Sequence, residues 1–161
     1  MVEIIDNFLK EDDFNLIKKI FFSEKINWFY SKNISADIKE KDFGHNFLCH
    51  MIYKDNQITS KYLQTIQPIL EKLNLKALIR IKANMYLNQG KYIIHRPHQD
   101  FSFEHKTALY YLNTNNGHTI IGDKKIDSIE NRIILFDGSI EHSSTNCTDA
   151  NRRLNINFNY F

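Results

Sequence analysis

Two hydropathy periods divide the chain. Over residues 11–23 the apolar positions Phe14, Ile17, Ile20 and Phe21 recur three to four apart, as one face of a helix requires. Glu11, Asp12 and Asp13 place negative charge where a helix N-terminus favours it. Residues 59–74 repeat the pattern with Tyr62, Leu63, Ile66, Ile69, Leu70 and Leu73. Pro68 falls inside that stretch and lacks a backbone donor, so the pattern predicts a kink or two pieces. Residues 26–30 and 47–53 read as short strands, and the polar stretch 31–46, rich in Lys and Asp, as a mobile loop between them. From residue 77 the period shortens to two. Residues 77–87, 92–95, 107–113, 119–121, 132–136 and 152–161 are β-branched or aromatic runs. Asn115-Asn116-Gly117, Gly122-Asp123 and Asp137-Gly138 read as the turns between them. The expectation is an α+β chain, mainly β: a sandwich or jelly roll (double-stranded β-helix) with the N-terminal helices packed on one sheet. No repeat or linker interrupts it, so residues 1–161 read as one domain.

Two of these runs carry polar residues on one whole face. In the last, Arg153, Asn155, Asn157 and Asn159 alternate with Leu154, Ile156, Phe158 and Tyr160. In 77–87, Arg80, Lys82, Asn84 and Tyr86 alternate with Ile79, Ile81, Ala83 and Met85. A stripe of asparagines beside an arginine is costly to bury against a dry core. Two such stripes fit the polar mouth of a barrel with a ligand in it.

Composition narrows the class. With 42% hydrophobic and 13% aromatic residues in 161, the chain can build a core without staples, which excludes a disordered or fibrous protein. Lys plus Arg number 21 against 19 Asp plus Glu, for a net charge of +2. That balance lends no support to a nucleic-acid or anionic-membrane surface. No window is apolar enough to span a membrane, and the first residues lack the basic start of a leader, so a cytoplasmic protein is expected. Cys49 and Cys147 alone make neither a disulfide scaffold nor a Cys-only zinc site, and free thiols are expected. Seven histidines remain to be placed.

Three features in order carry candidate chemistry. His98-Gln99-Asp100 sets an imidazole and a carboxylate two residues apart, which on an extended strand puts both on one face. His142 follows the run 132–138, and Arg153 comes eleven residues later. Two histidines and a carboxylate on one side of a metal leave the opposite positions open, the facial arrangement of non-haem Fe(II) oxygenases. A guanidinium nearby can hold a carboxylate through a bidentate ion pair.

In this order of residues the chain resembles the Fe(II)/2-oxoglutarate-dependent dioxygenases, and among them the prolyl 4-hydroxylase-like branch. The likeness runs from about residue 77 to 161. It includes Tyr86, Tyr110-Tyr111-Leu112-Asn113, a Gly117-His118-Thr119 turn, the run 132–138 and the last strand. His118 stands where relatives usually carry a second glycine, and Arg153 where collagen-type hydroxylases carry lysine. The resemblance implies Fe(II) on His98, Asp100 and His142, and 2-oxoglutarate with its distal carboxylate on Arg153. Tyr111 and Tyr86 would donate to that carboxylate. It further implies O₂ as oxidant, ascorbate as a reductant, and succinate and CO₂ as coproducts of hydroxylating a peptide (a prolyl one by the nearest branch) or a small molecule. Asp100 occupies the position where related halogenases carry a small residue, which favours hydroxylation. Two alternatives stand beside this reading. One is a nucleic-acid demethylase using the same iron chemistry; its relatives end in Arg-x-Asn-x-x-x-Arg, which here reads Arg153, Asn155 and Asn159, and the charge makes nucleic acid an unexpected partner. The other is a jelly-roll binding module without turnover.

The remaining candidates have plainer readings. His95, three residues before His98, would face the other way along a strand and reads as structural. His45, His50 and His105 read as surface or loop histidines, and Arg152 as facing solvent or a surface carboxylate. Trp28, Phe29 and Tyr30 read as core packing, with a substrate wall as the alternative. Oligomeric state has no signature in the sequence.

Overall fold

The computed structural model describes residues 2–32 and 44–161. In chain order these form β1 (Val2–Ile5), α1 (Glu11–Phe21), β2 (Phe29–Ser31), β3 (Phe47–Lys54) and β4 (Gln57–Ile58). A 3₁₀ turn (Lys61–Ile66) and α2 (Gln67–Leu73) follow, then β5 (Leu78–Leu87), β6 (Lys106–Tyr111), β7 (Asn115–Ile121), β8 (Lys124–Ser128), β9 (Ile133–Asp137), β10 (His142–Ser144) and β11 (Arg152–Tyr160). The larger sheet runs β1-β9-β6-β11-β5-β3-β2, with β4 paired to β3; the smaller runs β10-β7-β8. All pairings are antiparallel. Together the sheets make the expected jelly roll.

The helices pack on the outer face of the larger sheet. Phe14, Ile17 and Phe21 of α1 and Ile69 and Leu73 of α2 join one buried cluster with Ile81, Ala83 and Met85 of β5 and Leu154, Ile156 and Phe158 of β11. Each fully buried side chain of this kind contributes roughly 1.5–3 kcal/mol. Pro68 lies in the first turn of α2, where its missing N–H has no intrahelical partner to lose. Ser60 caps the preceding 3₁₀ turn, its Oγ accepting from the Tyr62 amide. Pro68 therefore begins a second helix and does not bend one. Between the sheets lies a smaller apolar cluster that includes Leu109, Ile121, Ile134 and Phe136. It leaves the polar faces of β5 and β11 turned toward the smaller sheet.

Several elements differ from the sequence expectation. Residues 92–95 are not a strand; only Ile94 bridges, to Thr145. Asn115-Asn116-Gly117 is not a turn but the irregular start of β7, where the register slips between Asn115 and His118. The Gly122-Asp123 turn does form, with Gly122 at φ 58, and joins β7 to β8. Strands β1, β8 and β10 were not expected, being short or, as in Lys124–Ser128, too polar to show alternation. Of the stretch 31–46 read as a loop, Ser31 ends β2, and residues 33–43 lie outside the described residues. Trp28 packs against the core as expected, whereas Phe29 and Tyr30 are exposed.

Candidate functional site

The backbone pairs His98 with His142 before any ligand is considered. The two residues exchange backbone hydrogen bonds of 2.9 Å in each direction, and their ring centroids lie 4.7 Å apart. Asp100 follows in a bend. The convergence of His98 and Asp100 thus owes nothing to strand alternation, since His98 makes only an isolated bridge. One ligand atom from each of His98, Asp100 and His142 lies within 4.8 Å of the others, and His142 Nε2 is 3.9 Å from Asp100 Oδ2. His142 Nδ1 is 3.0 Å from the Ile140 carbonyl, a contact in which Nδ1–H donates and Nε2 is left free for a metal. Burial, then the charge of His142, pushes the His98 imidazole down to about 4, so it is neutral and able to ligate at pH 7.

Asp100 is held by three donors. Arg80 Nη2 donates to Oδ1 at 2.6 Å; Asn157 Nδ2 and Asn159 Nδ2 donate to Oδ2 at 3.0 and 2.9 Å. Arg80 Nε also donates to Asn159 Oδ1 at 3.1 Å, tying the group together. Burial alone would raise the carboxyl pKa, but Arg80, His142, Lys82 and the Asn159 hydrogen bond outweigh it and hold the group well below the usual carboxylate range. It is an anion at any pH the protein meets.

Arg153 marks the other end of the site. It is fully buried at 0% exposure, with Nη1 donating to the Thr145 carbonyl at 3.2 Å and Nη2 to Thr119 Oγ1 at 2.9 Å. Its Nε has no acceptor, and among the described residues no carboxylate pairs with it. The Tyr86 and Tyr111 rings lie 5.3 and 5.4 Å from the guanidinium. The Tyr111 hydroxyl donates to Thr119 Oγ1 at 2.7 Å, so in this structure its proton is directed at Thr119. Burial raises both phenols, Tyr86 and Tyr111, with Arg153 opposing, and both stay protonated. Gly117 is required beside Arg153: a Cβ there would stand 2.7 Å from Arg153 Cδ and 2.5 Å from the Asn146 carbonyl oxygen.

Strand register joins the two ends. Across β5 and β11 the partners are Tyr86 with Arg153, Asn84 with Asn155, Lys82 with Asn157, and Arg80 with Asn159. Asn84 Nδ2 donates to Asn155 Oδ1 at 2.9 Å, but Asn84 Oδ1, Asn155 Nδ2 and Asn157 Oδ1 are buried without partners. Unpaired buried polar atoms between a lone guanidinium and a ligand triad are what an anionic, metal-chelating ligand would satisfy. The residues present fit both a divalent metal and a dicarboxylate. A cleft of about 780 Å³, lined by Leu73, His105, Leu135 and Phe161 among others, holds none of these groups. The chemistry belongs to the smaller cavity lined by His98, Asp100 and His142.

The other histidines are accounted for separately. His95 is buried, its Nδ1 is 2.8 Å from Ser144 Oγ, and its ring stacks on Tyr86 at 5.2 Å. His50 and His105 are buried and not surface residues; His50 joins the Asn27 carbonyl and Ser60 Oγ, both at 2.8 Å. The ring of His45 packs edge-on against His95, and that of His118 meets the Tyr92 hydroxyl. Arg152 turns to the α1 end, donating to the Phe22 carbonyl at 3.1 Å and lying over its ring, with no carboxylate partner among the described residues. Sequence reasoning missed Thr119 as the acceptor for Arg153, and Arg80 as the partner of Asp100. Arg80 was visible as a member of the polar stripe, but its partner depends on strand register.

No protein-family model matches the sequence, and no curated protein is similar to it by sequence. Solved structures do match. A prolyl hydroxylase from Trichoplax adhaerens, in complex with a hypoxia-inducible-factor oxygen-degradation-domain peptide fragment, has a TM-score of 0.67 at 15% identity, over 99% of this chain and 83% of that one. An oxidoreductase of the 2-oxoglutarate–Fe(II) oxygenase family from Burkholderia pseudomallei gives 0.70 at 11% identity, over 99% and 84%. HygX from Streptomyces hygroscopicus, with nickel, 2-oxoglutarate and hygromycin B bound, gives 0.63 at 10% identity, over 99% and 82%. At these identities the likeness is one of fold: this chain has the jelly roll of the 2-oxoglutarate–Fe(II) oxygenases.

Proposed function

We propose that the chain is an Fe(II)- and 2-oxoglutarate-dependent dioxygenase that hydroxylates a peptide or a small molecule. The observation that carries this reading is the pairing of a His-Asp-His triad with a fully buried arginine that has no carboxylate partner among the described residues. A buried, uncompensated guanidinium costs several kcal/mol, and a bound dicarboxylate relieves that cost. His98, Asp100 and His142 would hold Fe(II), and Arg153 the distal carboxylate of 2-oxoglutarate, with Thr119, Tyr111 and Tyr86 around it. When bound, the metal, cosubstrate and O₂ supply the oxidising chemistry, with succinate and CO₂ as coproducts. The protein's part is positional. Arg80, Asn157 and Asn159 orient the Asp100 carboxylate, and the Ile140 carbonyl fixes the His142 tautomer. Asp100 keeps a third protein ligand on the metal, which favours hydroxylation over halogenation. The solved neighbours were captured with a peptide fragment in one case and hygromycin B in another, consistent with either substrate size.

The test is substrate-free turnover. Purified protein given Fe(II), ascorbate and 2-oxoglutarate in air is expected to release succinate slowly, and His142→Ala or Asp100→Ala to abolish the release while the protein stays folded. If the wild type neither binds 2-oxoglutarate nor forms succinate, the chain is a binding module and the proposal is wrong.

A further inference from the structure

The charges lining the cavity are not all explained by metal and cosubstrate. Lys82 stands on β5 opposite Asn157 and lines the same cavity as His98 and Asp100. Among the described residues its ammonium makes no hydrogen bond and no ion pair; the contact it has is with the Phe47 ring, 5.2 Å away. Its charge is felt by both His98 and Asp100, which places it beside the triad. It is half-buried, whereas Arg153 is fully buried.

The nearby groups are already committed. Arg80 is bound to Asp100 Oδ1, and Asp100 Oδ2 accepts from Asn157 and Asn159. Asp100 is therefore already paired with Arg80, and it makes no ion pair with Lys82. Charge counting leads to the same place. A divalent metal and a dianionic cosubstrate cancel each other, and Asp100 cancels Arg80. The cavity keeps an excess of positive charge, and Lys82 is the cation that retains access to solvent. Burial, then the neighbouring charge of Arg80, pushes its ammonium down to about 8, with Asp100 and Cys49 opposing. Such surroundings penalise the charge until an anion joins it.

We propose that Lys82 receives a carboxylate of the substrate, so that the substrate class is an acid bearing its carboxylate close to the carbon that is oxidised. An ammonium is a compact point charge with three donors, suited to one carboxylate without the fixed fork of an arginine. The carboxylate belongs either to a free small acid or to an acidic side chain of a peptide. The inference rests on the functional reading above, and adds to it which of many small molecules or peptides the mouth selects.

The experiment uses the full chain loaded with Zn(II), which is redox-inert, and 2-oxoglutarate, with binding followed by ligand-observed NMR. One arm compares L-proline and L-glutamate with L-prolinamide and L-glutamine. The other compares end-capped pentapeptides of alanine carrying a central Glu or a central Gln. At least one carboxylate is expected to bind about tenfold more tightly than its amide, and the arm in which it does so identifies the source. Lys82→Met should bring that ratio to about one while 2-oxoglutarate binding persists, and Lys82→Arg, which keeps the charge and guards against misfolding, should retain the preference. Equal binding of acids and amides, no binding of any acid at on the order of 10 mM, or a preference that survives Lys82→Met overturns the inference. So does a large loss of 2-oxoglutarate affinity in Lys82→Met, which would assign the lysine to the cosubstrate. Failure of the wild type to bind 2-oxoglutarate at all strikes the functional reading instead.

Discussion

Arg80 Nη2 lies 2.6 Å from Asp100 Oδ1, and both side chains are largely withdrawn from water. The pair joins residues twenty apart in sequence, one on β5 and one in the bend after His98. Its effect is to fix the carboxylate so that Oδ2, the oxygen 3.9 Å from His142 Nε2, faces the candidate metal position. Two influences on metal affinity oppose each other. The guanidinium competes electrostatically for the carboxylate, and it also holds that carboxylate in place. Because Arg80 engages the oxygen that points away from His142, positioning should dominate. Arg80→Met is expected to weaken Fe(II) or Co(II) binding by about tenfold to a hundredfold. Metal titration of the purified variant measures this, and tighter binding would show that charge competition wins.

Arg153 should behave differently from the metal ligands. Its replacement leaves the triad intact, so Arg153→Gln is expected to bind metal as the wild type does. A carboxylate in that pocket would lose its only charged partner, at a cost of a few kcal/mol. The concentration of 2-oxoglutarate needed for half-maximal succinate release should then rise by about two orders of magnitude. An unchanged requirement would move the cosubstrate's distal carboxylate elsewhere, with Lys82 the next cation in the cavity.

Much of this site was legible in the alternation of β5 and β11. Arg80, Lys82, Asn84, Tyr86 and Arg153, Asn155, Asn157, Asn159 do share the cavity face, while Ile81, Ala83, Met85, Leu154, Ile156 and Phe158 enter the helix-covered core. Period two is a local property, and a sequence records it directly. Which residue of one stripe meets which of the other is set by long-range register, and no local pattern encodes it. The Arg80–Asn159–Asp100 group therefore emerged only from the structure. The same limit applies to β10, where three residues gain their place through pairing with β7. In the opposite sense, 92–95 has strand-like residues, but only Ile94 bridges.

Gly117 offers a test of the arginine pocket that touches neither metal nor ligand. A methyl group there would press on the Asn146 carbonyl at 2.5 Å and on Arg153 Cδ at 2.7 Å. The first obstacle is backbone and cannot swing away; the second is a side chain already confined by two tyrosine rings. Gly117→Ala is expected to cost about 1–3 kcal/mol of stability from overpacking. It should also weaken 2-oxoglutarate binding while sparing metal affinity, because the displaced group is Arg153. Urea unfolding and separate titrations of metal and 2-oxoglutarate distinguish these effects. A variant as stable as the wild type with unaltered 2-oxoglutarate binding would mean that the β7 start yields without disturbing the arginine.

His95 makes the fold sensitive to acid. Burial, then the charges of Arg153, His45 and His98, pushes its imidazole from the usual 6.5 down to about 3, and only 1% of the residue is exposed. In the unfolded chain the same ring takes up a proton below pH 6.5, whereas the folded protein refuses it until about pH 3. Unfolding thus binds a proton throughout that window. The stability associated with neutral His95 is fully present above pH 6.5 and is lost progressively as the pH falls toward 3, at about 1.4 kcal/mol per pH unit where the proton difference is complete. His98, pushed down to about 4, acts in the same direction in the metal-free protein. Replacing His95 by leucine removes one of these protons and gives up the Ser144 hydrogen bond. The variant is expected to be less dependent on pH between 6 and 4.5 by about one proton, whatever its stability at pH 7.5. Urea denaturation of metal-free wild type and His95→Leu at several pH values measures the two slopes. Equal slopes would show that His95 is protonated in the folded protein and that its ring is not sealed between Tyr86 and Ser144.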